Sequence, residues 1–439
     1  MLLSTVGVAI VVAAGVLIWR VTRDGSAEAE VESGEWNEVV FVDRAGGAVT
    51  TVGSDGNAGS TLPATTRTID VHVEGARLAL VEASQIVLTD VDGSPDIIPT
   101  ETDSVVSRLP TPESLWLAVG KASGGNIVLV NGLNGDTYDL GELAGFSSPR
   151  FFLQTLRFDP EGRVFAVADA NNFQTVLVDT ASDPPAASFL PDQPLTVGQE
   201  RAVTSQVVGQ QADLTLFDAE GGELASVKDQ LPAGGIFDGD DVVVTSIDGA
   251  VSKFGEGDES AERLGAVAVP AGETVTSVHP TADGTRLVVR GDVFEAVVDL
   301  DGKTLFTTTF TASTAELPIQ PSWSCLPVGG GEVFHSIVEL ETGEQLGDLT
   351  GLAVTGVSAD GCTVIGTRSG ATEVIGEGGS VPLGRLRGAW LAPDGRAVVV
   401  QTTTGTTELR TIDDDWALGD VVDLTEHAPA NAIVTFRQA

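Results

Sequence analysis

Basic and aromatic side chains are scarce in this chain. Its 439 residues include four lysines (Lys121, Lys228, Lys253 and Lys303), one tyrosine (Tyr138), one methionine and two cysteines, and aromatics make up 5% of the total. Against 63 acidic residues stand only 23 basic ones, giving a formal net charge of −40. Such a surface repels polyanions, which argues against nucleic acid and anionic lipid headgroups as partners of the body. The acids are scattered through turns rather than gathered in one run. They read as a solvated, self-repelling surface, with cationic partners, divalent ions or a high-salt habitat as alternatives.

Catalytic signatures are missing as well. There is no Gly-x-Ser-x-Gly elbow, Ser-x-x-Lys pair, His-Glu-x-x-His helix or Gly-x-x-x-x-Gly-Lys-[Ser/Thr] loop. The four histidines, His72, His279, His335 and His427, are too far apart for metal-ligand spacing, and packed or solvated imidazoles account for them. No convincing amphipathic helix appears after the first 35 residues.

What the chain has in quantity is turn chemistry in two registers. One is [Asp/Glu]-Gly before an apolar run, at Glu74-Gly75, Glu161-Gly162, Asp283-Gly284, Asp360-Gly361 and Asp394-Gly395. The other is Asp-x-x-Gly-x-x-apolar, at Asp43/Gly46/Val49, Asp218/Gly221/Leu224 and Asp299/Gly302/Leu305. It recurs with a changed first residue at Gly132/Gly135/Tyr138 and Leu340/Gly343/Leu346. Both are hairpin turns between short strands, and their recurrence from end to end marks an all-β repeat array.

Degenerate copies of the first register near Ser114, Gly209, Gly239 and Gly330 bring the unit to about 40 residues, the length of a four-stranded propeller blade. One such blade would run through 274–278, the Asp-Gly turn, 286–290, 294–299 and 304–308. The chain begins in the middle of a unit and ends on an inner-type strand at 431–437, so first and last strands should share a blade and close the ring. Counting marks gives up to nine units plus the composite one. Because propellers usually have four to eight blades, weak units are expected to merge into eight, with seven as the runner-up. The Pro-rich stretch 182–194 reads as an extended insertion between repeats.

Residues 1–19, MLLSTVGVAIVVAAGVLIW, carry no charged side chain and would span roughly 28 Å as a helix, enough to cross a bilayer. The domain reading is therefore a transmembrane anchor at 1–23, an acidic stalk at 24–35 and a propeller at 36–439. Arg20, Arg23 and Asp24 separate the apolar run from the small-residue site Ala27-Glu28-Ala29, which favours an uncleaved anchor over a signal peptide. Those arginines follow the helix and would, by charge bias alone, keep the body in the cytoplasm. The acidic stalk and the chance of a lost basic leader tilt the expectation to the extracytoplasmic side. Cys325 and Cys362 begin equivalent strands in consecutive repeats and form a candidate disulfide, with two separate buried thiols as the alternative. A bond there would put the body outside the reducing cytoplasm.

The motifs Ser358-Ala359-Asp360-Gly361 and Leu391-Ala392-Pro393-Asp394-Gly395 resemble the Ser-Pro-Asp-Gly turn of bacterial WD40-like β-propeller repeats. The segments 339–346 (ELETGEQL) and 299–305 (DLDGKTL) resemble quinoprotein-type (PQQ-like) repeat units. The resemblance covers roughly 36–437. It lacks the Gly-His and Trp-Asp dipeptides of eukaryotic WD40 repeats and the outer-strand Trp of quinone-binding ones, so it implies a propeller and no particular activity.

Three acidic clusters invite an ion-site reading: 90–96 (DVDGSPD), Asp238-Gly239-Asp240-Asp241 and Asp413-Asp414-Asp415-Trp416. Asp90 and Gly93 already sit in the hairpin register, which explains them as turn formers. Gly376-Glu377-Gly378-Gly379 lies in a hairpin and is no nucleotide loop. Trp116, Trp323 and Trp390 read as blade-packing aromatics, with sugar stacking as the alternative. No catalytic residue, cofactor or metal is assigned. The leading expectation is a non-catalytic, membrane-tethered extracytoplasmic scaffold that binds a protein or small ligand, anchored through 1–19. The alternatives are a hydrolase, lactonase or quinoprotein-type propeller enzyme with its site at the channel mouth, and a cytoplasm-facing scaffold.

Overall fold

The computed structural model describes residues 36–437, apart from 46–47, 64–67, 75–76, 91–94, 110–114, 160–161, 282–283, 311–322, 331–332 and the single positions 183, 199 and 209. The anchor and stalk assignments therefore lie outside the described residues. Among the described residues, no helix is long and apolar enough to cross a membrane.

The strands form ten antiparallel sheets, nine of four strands and one of three. Each sheet is one blade of a ten-bladed propeller. Numbered around the ring, blade 1 joins the last strand to the first three, and blades 2 to 10 follow at 68–99, 104–139, 157–191, 193–230, 232–266, 275–309, 325–348, 353–384 and 386–423. The expected merger into eight or seven blades is wrong. The nine marks each belong to a blade of their own, and the usual size range misled where the count did not.

The blade expected at 274–308 is observed as Val275–Pro280, Arg286–Gly291, Phe294–Asp299 and Thr304–Thr309. In it the Asp-Gly turn joins inner to second strand, and Asp299/Gly302 joins third to outer. Gly302 has φ 78°, and the register slips by one residue at Val297/Val298, a glycine-bulge hairpin. Three marks fall elsewhere. Asp43/Gly46 and Gly209 lie between strands two and three of their blades, and Gly330 ends Cys325–Gly330, the first described strand of blade 8, because Gly-rich turns serve several hairpin positions. The presumed insertion at 182–194 is also corrected: it holds the outer strand Ala186–Pro191 of blade 4 and enters the inner strand Gln193–Val197 of blade 5. Its prolines are tolerated at strand edges, where a missing N–H costs no ladder bond.

Ring closure follows the expected scheme. Glu38–Asp43 pairs antiparallel with Ala432–Arg437 from Glu38↔Arg437 to Asp43↔Ala432. At the turn end of this pair, Arg437 Nε donates to Glu38 Oε2 at 2.6 Å.

The core is not one mass but ten clusters, one at each seam between neighbouring blades. Strand two of blade 10 shows why: Val399 packs toward blade 1, whereas Val398 and Val400 pack toward blade 9. Likewise Leu287 and Val289 face blade 6 and Val288 faces blade 8. Both faces of a middle strand are buried, so these strands read as unbroken apolar runs rather than alternating ones.

A four-stranded meander puts its first and third turns on one side and its second turn, with the connection to the next blade, on the other. All the acidic hairpin turns between strands one and two or three and four thus share one side of the ring, the turn face. The opposite side, where inner strands begin, is the loop face. A four-residue helix, Leu140–Leu143, lies in the connection between blades 3 and 4.

Candidate binding site on the loop face

At the seam between blades 10 and 1, the loop face holds an open cleft of about 520 Å³ lined by Arg44, Ala45, Arg387, Trp390, Gln401, Ala430, Asn431 and Ala432. Arg387 reaches it through a backbone irregularity. The inner strand Leu386–Leu391 pairs Leu386 with Thr402 and Gly388 with Gln401, leaving Arg387 outside the ladder. The same slip recurs at Thr68/Asp70, Pro194/Thr196, Pro232/Gly234, Val275/Ser277 and Val354/Gly356. The residues thus expelled are Ile69, Leu195, Ala233, Thr276, Thr355 and Arg387, and only Arg387 is charged. Thr276 and Thr355 donate their hydroxyls back to the carbonyls of Arg290 and Ile365. Arg387 and Arg44 have no ion-pair or hydrogen-bond partner among the described residues.

Trp390 forms one wall. Its ring lies against Gly388, where a Cβ would come within 2.5 Å of it, so a glycine is needed at that point. Trp390 is half-buried, unlike Trp116 and Trp323, which are packed between blades at 3% and 5% exposure. The packing reading therefore holds for two of the three tryptophans and is incomplete for the third. No sequence signal marked Arg44, Arg387, Gln401 or Asn431. They come together only when the ring closes and brings residue 44 beside residue 387.

The histidines do not converge. His72 and His279 lie in the inner strands of blades 2 and 7, five blades apart on opposite sides of the ring, and His335 lies in Val333–Glu339, the middle strand of the three-stranded blade 8. Burial lowers the pKa of His72, with Asp70 opposing and Arg108 assisting. For His279, burial first, then the guanidinium charges of Arg290 and Arg157, brings the pKa down to about 4. A base with a depressed folded-state pKa favours the unfolded chain once it protonates. Its contribution is complete above pH 6.5 and is lost as pH falls toward 4. Replacement by Gln should remove up to about 3 kcal/mol of acid sensitivity, less after solvent screening. Denaturant midpoints compared at neutral pH and at about pH 5 read this. An unchanged slope would show that the imidazole titrates freely in the folded ring.

Arg290 and Glu295, 4% and 3% exposed, form a buried pair at 2.6 Å. Glu295 Oε2 accepts from the Gly329 N–H at 2.9 Å, tying blade 7 to blade 8. Both carboxylate oxygens are engaged, so the group is an inter-blade tie.

The acidic clusters are absorbed by turns and cations. Asp238 and Asp241 each contact Lys253 Nζ at 2.9 Å, and Asp240 pairs with Arg201 at 3.1 Å. Asp413 accepts the N–H groups of Asp415 and Ala417, and Asp414 pairs with Arg396. Asp96 pairs with Arg77, while 91–94 of that cluster lie outside the described residues. No group of three His, Cys, Asp or Glu suited to a metal occurs among the described residues. In the hairpin 376–379, Gly376 and Gly379 pack under Trp416, whose indole N–H donates to Glu377 O at 2.8 Å. Cys325 and Cys362 are disulfide-bonded across the seam of blades 8 and 9 on the turn face, with Cα atoms 4.9 Å apart.

Neither the models of protein families nor the curated proteins give a match to this chain. Solved structures do. A "eukaryotic initiation factor" aligns over 92% of this chain and 99% of its own at 11% identity and TM-score 0.49. The C-terminal WD40 domain of Sif2 aligns over 79% and 97% at 12% identity and TM-score 0.40. The dihydro-heme d1 dehydrogenase NirN aligns over 91% and 76% at 11% identity and TM-score 0.38. The β-propeller class rests on the chain's own ten sheets.

Proposed function

We propose that this chain is a non-catalytic binding propeller, tethered to the cytoplasmic membrane through residues 1–19 on its extracytoplasmic side, that offers its loop face to a protein partner. The observation that carries this reading is the polarity of the ring. The chain enters the propeller on the turn face: Trp36, 2% exposed, donates its indole N–H to Asp394 in the inner-to-second turn of blade 10, and the Asn37 N–H donates to Arg437 O. A tether leaving from there would hold the acidic turns toward the membrane and the cleft away from it. Like charge would keep those turns off anionic headgroups. The disulfide supports an oxidising compartment.

Two measurements test this in cells carrying the full-length chain. A membrane-impermeant thiol reagent should label Cys325 and Cys362 in intact cells only after reduction. Labelling confined to lysed cells would place the body in the cytoplasm. A photo-crosslinking residue at Asn431, on the loop face, should capture a discrete partner, and one at Glu377, on the turn face, should not. The reverse pattern would overturn the assignment of the binding face.

A further inference from the structure

We infer that the cleft between blades 10 and 1 is a binding site for a small dianionic organic ligand, one bearing two carboxylates or a phosphate on a flat apolar body. This goes beyond the partner-binding reading and does not depend on the tether or its sidedness.

The argument starts from charge. In a chain of net charge −40, an arginine on the surface should have acidic neighbours, as Arg77, Arg163, Arg201, Arg368, Arg396 and Arg410 do, each pairing with a carboxylate. Arg44 and Arg387 instead line one cleft, exposed and without a partner among the described residues. Two guanidiniums with no counter-charge are matched by a ligand of charge −2, and each presents a fork that fits a carboxylate or phosphate through two parallel N–H···O bonds.

Position adds to charge. Arg44 comes from the turn after Glu38–Asp43, and Arg387 from the bulge of the next blade's inner strand. The two therefore approach the cleft from different walls and can grip two ends of one molecule. Bulges re-aim single side chains in this way beside binding sites.

The same cleft is lined by the Trp390 ring, half-buried over Gly388, a flat surface for an aromatic or other planar body. The amides of Gln401 and Asn431 add neutral donors and acceptors. About 520 Å³ is within the range of small-molecule sites.

Calorimetric titration of the full-length chain in neutral detergent tests this, with phthalate, phenyl phosphate and neutral benzamide as probes. At least one dianion should bind saturably at one site per chain, weaken as salt is raised, and outcompete benzamide. Which one binds tells dicarboxylate from phosphate chemistry. Arg387→Ala and Arg44→Ala should each weaken that binding about tenfold or more, and Arg387→Lys less so, since charge survives and the fork is lost. Arg396→Ala, on the turn face, should leave it unchanged and serves as the folded control. Absence of saturable binding by both dianions, or affinity indifferent to Arg44 and Arg387, would overturn the inference. The partner-binding reading would survive that result, because its crosslinking pattern is measured without either probe.

Discussion

A chain ending at Asn431 is expected to yield no cooperatively folded ring. Without Ala432–Arg437, Glu38–Asp43 becomes an open edge with six unpaired positions. Val434 and Phe436 leave the cluster that joins blades 10 and 1, and Trp36 loses its edge-to-face partner Phe436, 5.0 Å away. The Glu38 carboxylate also loses Arg437, itself 4% exposed. Each buried aromatic or aliphatic residue lost costs about 2–5 kcal/mol, so the sum reaches the whole stability of an ordinary domain. The expected readout is aggregation or a broad, non-cooperative melt. Recovery of a sharp transition on adding a synthetic peptide of residues 431–439 would show that this strand is the missing part. A sharp, unshifted melt of the truncated chain would mean that the ring does not rely on its composite blade.

The second large effect concerns Arg290. Arg290→Met should cost about 3–5 kcal/mol, because Glu295 would stay buried with its charge and without its guanidinium partner. Arg290→Met combined with Glu295→Leu should recover most of that loss, since an apolar pair of similar volume carries no desolvation cost. It should not recover all of it, as the Gly329 N–H is left without its acceptor. Denaturant midpoints of the two variants decide the matter. Equal losses would show that the tie is held by packing and not by charge.

How much of this was legible beforehand depends on whether the signal is local. Gly239, Gly284, Gly361 and Gly395 have φ between 60° and 80°, and such backbone restricts the choice of residue, so turn chemistry appears openly in the sequence. Paired end strands were legible for the same reason, since each carries its own phase in the repeat. Blade number was not. It depends on how many units close a circle, and no residue encodes that angle. The Asp43/Gly46 turn was misplaced because the same three-residue spacing serves turns on either face. The cleft was hidden for a different reason: Arg44 and Arg387 are 343 positions apart in sequence, and neither stands in a motif. What sets them apart is that both line one cleft without an ion-pair partner among the described residues, and that is a property of the folded ring.

Trp36 leads directly into the strand that zips onto the chain's own C-terminal segment, and this gives the closing seam a mechanical character. A pull arriving through residue 36 runs along Glu38–Asp43, parallel to its neighbours on both sides, Ala432–Arg437 and Ala48–Gly53. The ladder bonds lie across that direction and are loaded together in shear instead of one after another. A propeller hung from this point would bear tension from its attachment through two full ladders at once, with the Trp36 indole and the Glu38–Arg437 pair as the first links to take strain.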